Sequence, residues 1–211
     1  MFGKREENNK LDTRNKSQIT RGDTVIIEVV SNKCYRNTSD LKLIAFFEDE
    51  DIIKKYSGLD KDIKGVIEHI IKVNKFTGKY KEIYGFVLPR QKKPNKILIA
   101  GRGKLSELTI ERIGEIFPVI FEKAIELNAK SMEIPLLGGP RQGSLGIKEV
   151  TRIVSESALI IEYGSNKNKG EKGKNTPDRI NIICDDDAVR VAVEGLNEAM
   201  NLENLAILDR D

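Results

Sequence analysis

The sequence predicts an α/β domain of three layers, a central mixed and mostly parallel sheet with helices on both faces. Three observations predict it. Short β-branched and apolar runs alternate with helical patterns along most of the chain. Several of the runs are nearly continuous in apolar character, as strands covered on both faces are. Two glycine-rich junctions, Gly101 to Lys104 and Gly138 to Gly146, each lead from a strand run into a helical one. In such sheets ligands bind beyond the carboxyl ends of the strands, where these junctions fall.

Taken in order, residues 1–21 are polar and charged, with too little apolar area to offset ordering, and are expected to form a mobile tail. Residues 22–211 are expected to form one domain. Thr24 to Val30 is β-branched and reads as a strand, and Leu41 to Phe47 as a second. Glu48 to Asp51 is a run of four carboxylates at that strand's end, read as a solvated loop and helix start rather than a cation site. Leu59 to Val73 carries Ile63, Val66, Ile67, Ile70 and Ile71 at helical spacing. His69, the only histidine, has no ligand-spaced partner and reads as a surface or boundary residue.

Phe76 to Lys79 is a turn, and Ile83 to Pro89 and Lys96 to Ala100 read as a hairpin pair of strands. A long helix follows, about Thr109 to Asn128, with Pro118 inside it to bend it. Tyr163 to Asp178 is rich in Gly, Asn and Lys and predicts a mobile loop over 164–177. Ile180 to Cys184 is a strand. Asp185 to Asp187 precedes a helix over Ala188 to Met200, where acidic residues complement the helix dipole; the runner-up is a metal site, which would need ligands from another element because adjacent aspartates cannot all face one ion. Leu205 to Leu208 reads as a last short strand.

The chain is organised around Ser131 to Ile161. An apolar run, Met132 to Leu137, ends in Gly138-Gly139-Pro140, and a helical pattern begins near Lys148. A strand, a glycine loop and a helix in succession aim backbone N–H groups and the positive helix end at one spot, which suits an anion such as phosphate. The candidate anion-binding residues are Gly138, Gly139, Arg141, Gly143, Ser144, Leu145, Gly146 and Ile147. Arg141 would add a charge-assisted contact and Ser144 a hydroxyl. The alternative is an ordinary β-to-α turn in which the glycines serve chain reversal. Gly101, Arg102 and Gly103 form a secondary candidate loop; Gly101 to Lys104 is too short for a P-loop and reads first as a tight strand-to-helix turn.

Composition narrows the classes. Of 211 residues, 36 are Lys or Arg and 33 Asp or Glu, a net charge of +3 that is too balanced to imply nucleic acid. Cys34 and Cys184 give neither a disulfide framework nor a metal spacing, and read as reduced thiols of a cytoplasmic protein. No apolar run approaches a membrane span, and the first residues lack the hydrophobic core of a secretory signal. No Ser/His/Asp or Cys/His set has a local signature.

Several pieces resemble a known family. The helix from Leu59-Asp60, then Phe76-Thr77-Gly78-Lys79, then Ile97 to Lys104, then Leu108-Thr109 leading to Arg112 occur in the order seen in the N-terminal domain of the leucyl aminopeptidases, the two-metal cytosolic family. Coverage extends over about residues 24 to 202. The resemblance implies a macro-domain-like fold, and Ile134 to Ser157 looks like the second phosphate-binding loop of ADP-ribose-binding macro domains. Two departures stand out. Glu48 to Gly58 is acidic where macro domains carry an Asn- and Gly-rich segment, and the Asn-Thr-Asp-Ala-Glu-Gly-Arg signature of the peptidase domain is absent.

The expectation is therefore a non-catalytic macro-like domain, with no catalytic residues, metal or cofactor of its own; Zn or Mn belongs to the full-length aminopeptidases. Its role would be binding or regulation, through a protein partner, self-association or a small anionic ligand, and without a membrane. Two other readings stay open: an ADP-ribose-binding or ADP-ribose-processing macro domain, and the N-terminal part of a full metallo-aminopeptidase.

Overall fold

The computed structural model of the chain describes residues 16–17, 25–51, 54, 61–89, 92–136, 145–167 and 176–208. The strands are β1 (Lys16–Ser17), β2 (Ile26–Ser31), β3 (Leu41–Phe46), β4 (Ile83–Val87), β5 (Lys96–Gly101), β6 (Ser131–Pro135) and β7 (Arg179–Cys184). The helices are α1 (Lys61–Val73), α2 (Ile110–Glu126), α3 (Ile147–Lys167) and α4 (Val189–Leu208), and Leu105–Glu107 forms a 3₁₀ turn.

The strands form one seven-stranded sheet in the order β1-β2-β7-β6-β3-β5-β4. Five central strands run parallel, and β1 and β4 close the two edges antiparallel. The β4–β5 hairpin is the pair expected from the sequence. Alternation along the strands divides the sheet's side chains into two faces. On the first face Leu41, Leu43, Ala45, Leu98, Met132, Ile134, Ile180 and Ile182 pack under α2, α3 and α4, with Phe117 and Phe121 fully buried. On the second, Ile44, Phe46, Ile97 and Ile99 pack with Ile63, Ile67 and Ile70 of α1. The three-layer α/β architecture is the predicted one.

Each helix buries the stripe its spacing foretold. In α2, Ile113, Ile116, Phe117, Ile120, Phe121 and Ile125 are buried, and the Thr109 hydroxyl caps the start by accepting the Arg112 N–H at 3.3 Å. In α3, Val150, Val154, Ser157 and Ala158 are buried. Two backbone contacts leave no room for a side chain. A Cβ on Gly195 of α4 would lie 2.1 Å from the Lys148 carbonyl oxygen of α3, and one on Gly101 would lie 2.1 Å from that of Lys79.

Three expectations need correction. Leu205 to Leu208 is not a strand but the last turn of α4. Extending an existing helix adds a hydrogen bond per residue, whereas a strand there would have had to find a partner, and Leu and Ala favour helix. Residues 164–167 are helical because α3 continues through Gly164 to Lys167. Within the expected tail, Lys16 and Ser17 pair with Val30 and Val29 as an edge strand. The rest of the tail outside 16–17, and residues 168–175 of the expected mobile loop, lie outside the described residues.

Candidate functional site

All five parallel strands end at one edge of the sheet, and three junctions gather there. The first leads from β6 into α3. The Leu136 N–H donates to the Ile183 carbonyl at 2.8 Å, carrying the β6–β7 pairing one residue beyond the strand. Of the candidate residues, Gly138, Gly139, Arg141, Gly143 and Ser144 lie outside the described residues; Leu145, Gly146 and Ile147 are described. Leu145 and Ile147 pack on the core, and the Gly146 carbonyl accepts the Val150 N–H at 3.0 Å, which makes Gly146 the cap of α3. A glycine cap has no side-chain oxygen to offer the first-turn N–H groups, and those groups have no partner within a helix. Lys148, just inside, is paired with Glu198 at 2.6 Å, which raises its pKa.

The second junction follows β5, and its N–H donors point inward. The Gly101 N–H goes to the Glu82 carbonyl at 2.8 Å, Arg102 to Phe46 at 2.8 Å and Gly103 to Gly78 at 2.9 Å. Arg102 is 3% exposed, with its guanidinium 3.7 Å from the centre of the Phe47 ring. Gly78 and Gly103 have φ of +80° and +72°, the left-handed backbone that favours glycine. This tight packing is why the two short motifs, Phe76 to Lys79 and Gly101 to Lys104, occur together.

Sequence reasoning missed an anion nest beside it. The N–H groups of Thr77, Gly78 and Lys79 converge on one oxygen of Glu82 at 3.1, 3.1 and 3.2 Å. The chain thus supplies its own carboxylate there. A Thr-Gly-Lys turn with Glu three residues later is the signal that carried it.

The third junction follows β2 and β7. Asp186 accepts from the Ser31 hydroxyl and pairs with Lys33 at 2.5 Å, and the Asn32 amide donates to Asp185 at 2.6 Å. The hydrogen bonds from Lys33 and then Ser31 lower the Asp186 pKa. Burial, reinforced by the three aspartates, pushes the Cys184 thiol up to about 11. Asp185 and Asp186 tie the end of β7 to the end of β2, and the first turn of α4 itself holds no acidic residue. The other acidic run behaves likewise: Glu50 accepts from the Phe47 N–H at 3.1 Å and Asp49 from the Leu105 N–H at 3.3 Å. Among the described residues no group of three or more His, Cys, Asp or Glu converges in a metal-holding arrangement. Cys34 and Cys184 are free thiols, and no helix among the described residues is long and apolar enough to cross a membrane.

A second unpredicted feature lies on the sheet face that α1 leaves uncovered. Glu28, Asn181, Glu133 and Lys42 stand in register across β2, β7, β6 and β3. Lys42 pairs with Glu133, and Arg179 with Glu28 at 2.7 Å. The Tyr35 hydroxyl and the Asn181 amide both donate to the Ser39 hydroxyl oxygen at 2.9 Å. Burial, then Glu133, pushes the Tyr35 phenol up to about 12. A pocket of about 200 Å³ opens beside this row, lined by Tyr35, Asn181 and the Glu28–Arg179 pair among others.

The profile of the Cytosol aminopeptidase family, N-terminal domain, matches residues 43–172. This chain belongs to that family. A probable cytosol aminopeptidase of Clostridium perfringens (strain 13 / Type A) is 25% identical over 186 residues, covering 87% of this chain and 36% of the relative. A probable cytosol aminopeptidase of Treponema denticola is 26% identical over 147 residues, or 70% of this chain and 30% of the relative. The chain therefore spans about a third of the curated relatives it matches.

Among solved structures, a mutant tomato leucine aminopeptidase superposes with a TM-score of 0.60 at 14% identity, over 87% of this chain and 37% of that one. A mutant Oceanobacillus iheyensis macrodomain gives 0.63 at 11% identity, over 90% and 97%. Another mutant of that macrodomain, with ADPR, gives 0.60 at 11%, over 88% and 98%. These likenesses show the macrodomain-like fold of the cytosol aminopeptidase N-terminal domain.

Proposed function

We propose that this chain is a non-catalytic, cytoplasmic binding module of the cytosol aminopeptidase N-terminal type. It takes a small anionic group at the junction between β6 and α3, with Gly138, Gly139, Arg141, Gly143, Ser144, Leu145, Gly146 and Ile147 around it. The observation that carries this reading is the contrast among the strand-end junctions. The N–H groups of Gly101 to Gly103 go to backbone carbonyls and those of Thr77 to Lys79 to Glu82. Helix α3, by contrast, opens with a glycine cap and a first turn of N–H groups that no intrahelical carbonyl can accept.

Calorimetry with ADP-ribose, ADP and inorganic phosphate tests it. Binding is expected, and Arg141→Ala should weaken it by about 1.5–3 kcal/mol, the range for a hydrogen bond to a charged group. Gly143→Val should block the site while circular dichroism reports an unchanged fold. No heat from any of the three at millimolar concentration would return the junction to a structural turn. A nucleotide-reading role is the second reading, favoured by the macrodomain fold of a neighbour whose structure holds ADPR. ADP-ribose binding more tightly than phosphate would select it. That the chain aligns with only 36% of a cytosol aminopeptidase favours a third reading, in which it serves as the N-terminal part of a metallo-aminopeptidase.

A further inference from the structure

We propose that the outer edge of β4 is a docking site for an extended, acidic-flanked peptide segment of a partner protein, which adds to the sheet as an eighth strand. β4 is the last strand in the sheet order, and among the described residues only β5 pairs with it. Its hydrogen bonding fixes which groups face outward. The Leu88 N–H donates to the Asn95 carbonyl at 2.7 Å, and the Gly101 N–H to the Glu82 carbonyl at 2.8 Å. In an antiparallel ladder bonded and non-bonded pairs alternate, so residues 82, 84, 86 and 88 bond inward to β5. Ile83, Gly85 and Val87 therefore turn their N–H and C=O groups to the open edge. The strand reads Ile-Tyr-Gly-Phe-Val, without a charge or a proline, and Gly85 and Val87 are exposed. Edges of soluble proteins are normally blunted by one of those devices.

A groove adjoins the edge. It has a volume of about 340 Å³ and lies between α1 and the end of β4, lined by Asp62, Gly65, Val66, His69, Phe86, Leu88 and Pro89. Tyr84 and Phe86 point to this face of the sheet, since they stand opposite Ile99 and Ile97. Alternate side chains of an added strand, opposite Phe86 and beyond, would point into the groove. Backbone bonds to the edge together with a pocket for one side chain are the two components of recognition by strand addition.

Charge selects the occupant. Lys79 and Lys81 flank one end of β4 and Lys92 and Lys93 the other, all four exposed. Glu115 pairs with Lys81 at 2.8 Å, and the Glu82 carboxylate is turned into the Thr77 to Lys79 nest. Two copies of this chain pairing antiparallel through β4 would set Lys79 and Lys81 of one against Lys92 and Lys93 of the other. Like charges facing each other across strands are destabilising. An apolar segment with acidic flanks meets the same edge favourably.

The probe is a peptide of Val-Phe-Val between two blocks of three Glu, and its control carries Lys in place of every Glu. Fluorescence anisotropy on the full chain should show binding of the Glu peptide, weakened by added salt, and none of the Lys peptide. Val87→Pro removes only an outward N–H, so the β4–β5 ladder survives. It should cut affinity about 5- to 10-fold, as the loss of one or two hydrogen bonds does. Gly65→Leu fills open space, for nothing lies within 4 Å of a Cβ there, and should cut affinity by at least as much while favouring the helix. Absence of Glu-peptide binding to the folded protein overturns the proposal, as does binding that neither variant changes. So does a dimer, seen by sedimentation and abolished by Val87→Pro, that leaves no peptide affinity, because the edge would then belong to a second copy.

Discussion

Asp40 is 6% exposed and joins the starts of three strands. Its carboxylate accepts the Lys130 N–H at 3.0 Å, the Ser131 N–H at 2.7 Å and the Ser131 hydroxyl at 3.0 Å, and it pairs with Lys96 at 2.9 Å. Burial pushes the acid up, but the Lys130 N–H, the Lys96 ammonium and the Ser131 N–H together outweigh it and hold the pKa below its ordinary value. A carboxyl whose folded pKa is depressed contributes its full stability above the unfolded value, about 3.9, and loses that contribution as pH falls through the folded value. Asp40→Asn should therefore cost about 3 kcal/mol at pH 7, the range for breaking a buried pair. The difference from the parent should shrink in urea denaturation below about pH 3.9. A difference that stays constant with pH would show that the charge is not what Asp40 contributes. None of this was legible in the sequence, where Asp40 closes a polar turn; its partners lie 56 to 91 residues away.

At the scale of elements, two helical glycines make opposite predictions. Gly195 lets α4 approach α3 so closely that an added Cβ would meet the Lys148 carbonyl oxygen at 2.1 Å, and the obstacle is backbone rather than a side chain that can swing aside. Gly195→Ala should destabilise by about 3 kcal/mol, at the upper end for overpacking. Gly65 in α1 faces open space, and Gly65→Ala should stabilise by about 0.5–1 kcal/mol through backbone entropy alone. Thermal and urea unfolding of both variants check this; equal and small effects would mean that the helices slide apart at no cost. Periodicity alone had identified both helices and their buried stripes. It had no means of telling a glycine at a helix crossing from one in solvent, because the crossing joins positions 47 residues apart in the chain.

At the scale of the whole molecule, the fold is that of a cytosol aminopeptidase N-terminal domain, while the chain spans 36% of one relative and 30% of another. The two-metal reaction needs several carboxylates converging on adjacent ions, and the peptidase signature is absent from these 211 residues. The pure chain should release no product from a leucine chromogenic amide with added Mn²⁺ or Zn²⁺. Metal-dependent turnover abolished by a chelator would show that it is an enzyme in its own right.

The sequence by itself determined the kinds of element, their order and most of their inward faces, because apolar spacing is a local record of which side of a helix or strand is buried. It also carried the family, through short motifs whose glycines permit the tight contact at Gly78, Gly101 and Gly103. Only the tertiary structure decided the rest. Placing β7 between β2 and β6 aligned Glu28, Asn181, Glu133 and Lys42 into one polar row, although each reads singly as a polar interruption of an apolar run. Folding the Thr77 to Lys79 turn onto Glu82 satisfied a nest that the residue types alone do not announce. The exposed edge of β4 likewise follows from strand order. Strand order is set by long-range packing and connection geometry, and a local pattern holds no record of it.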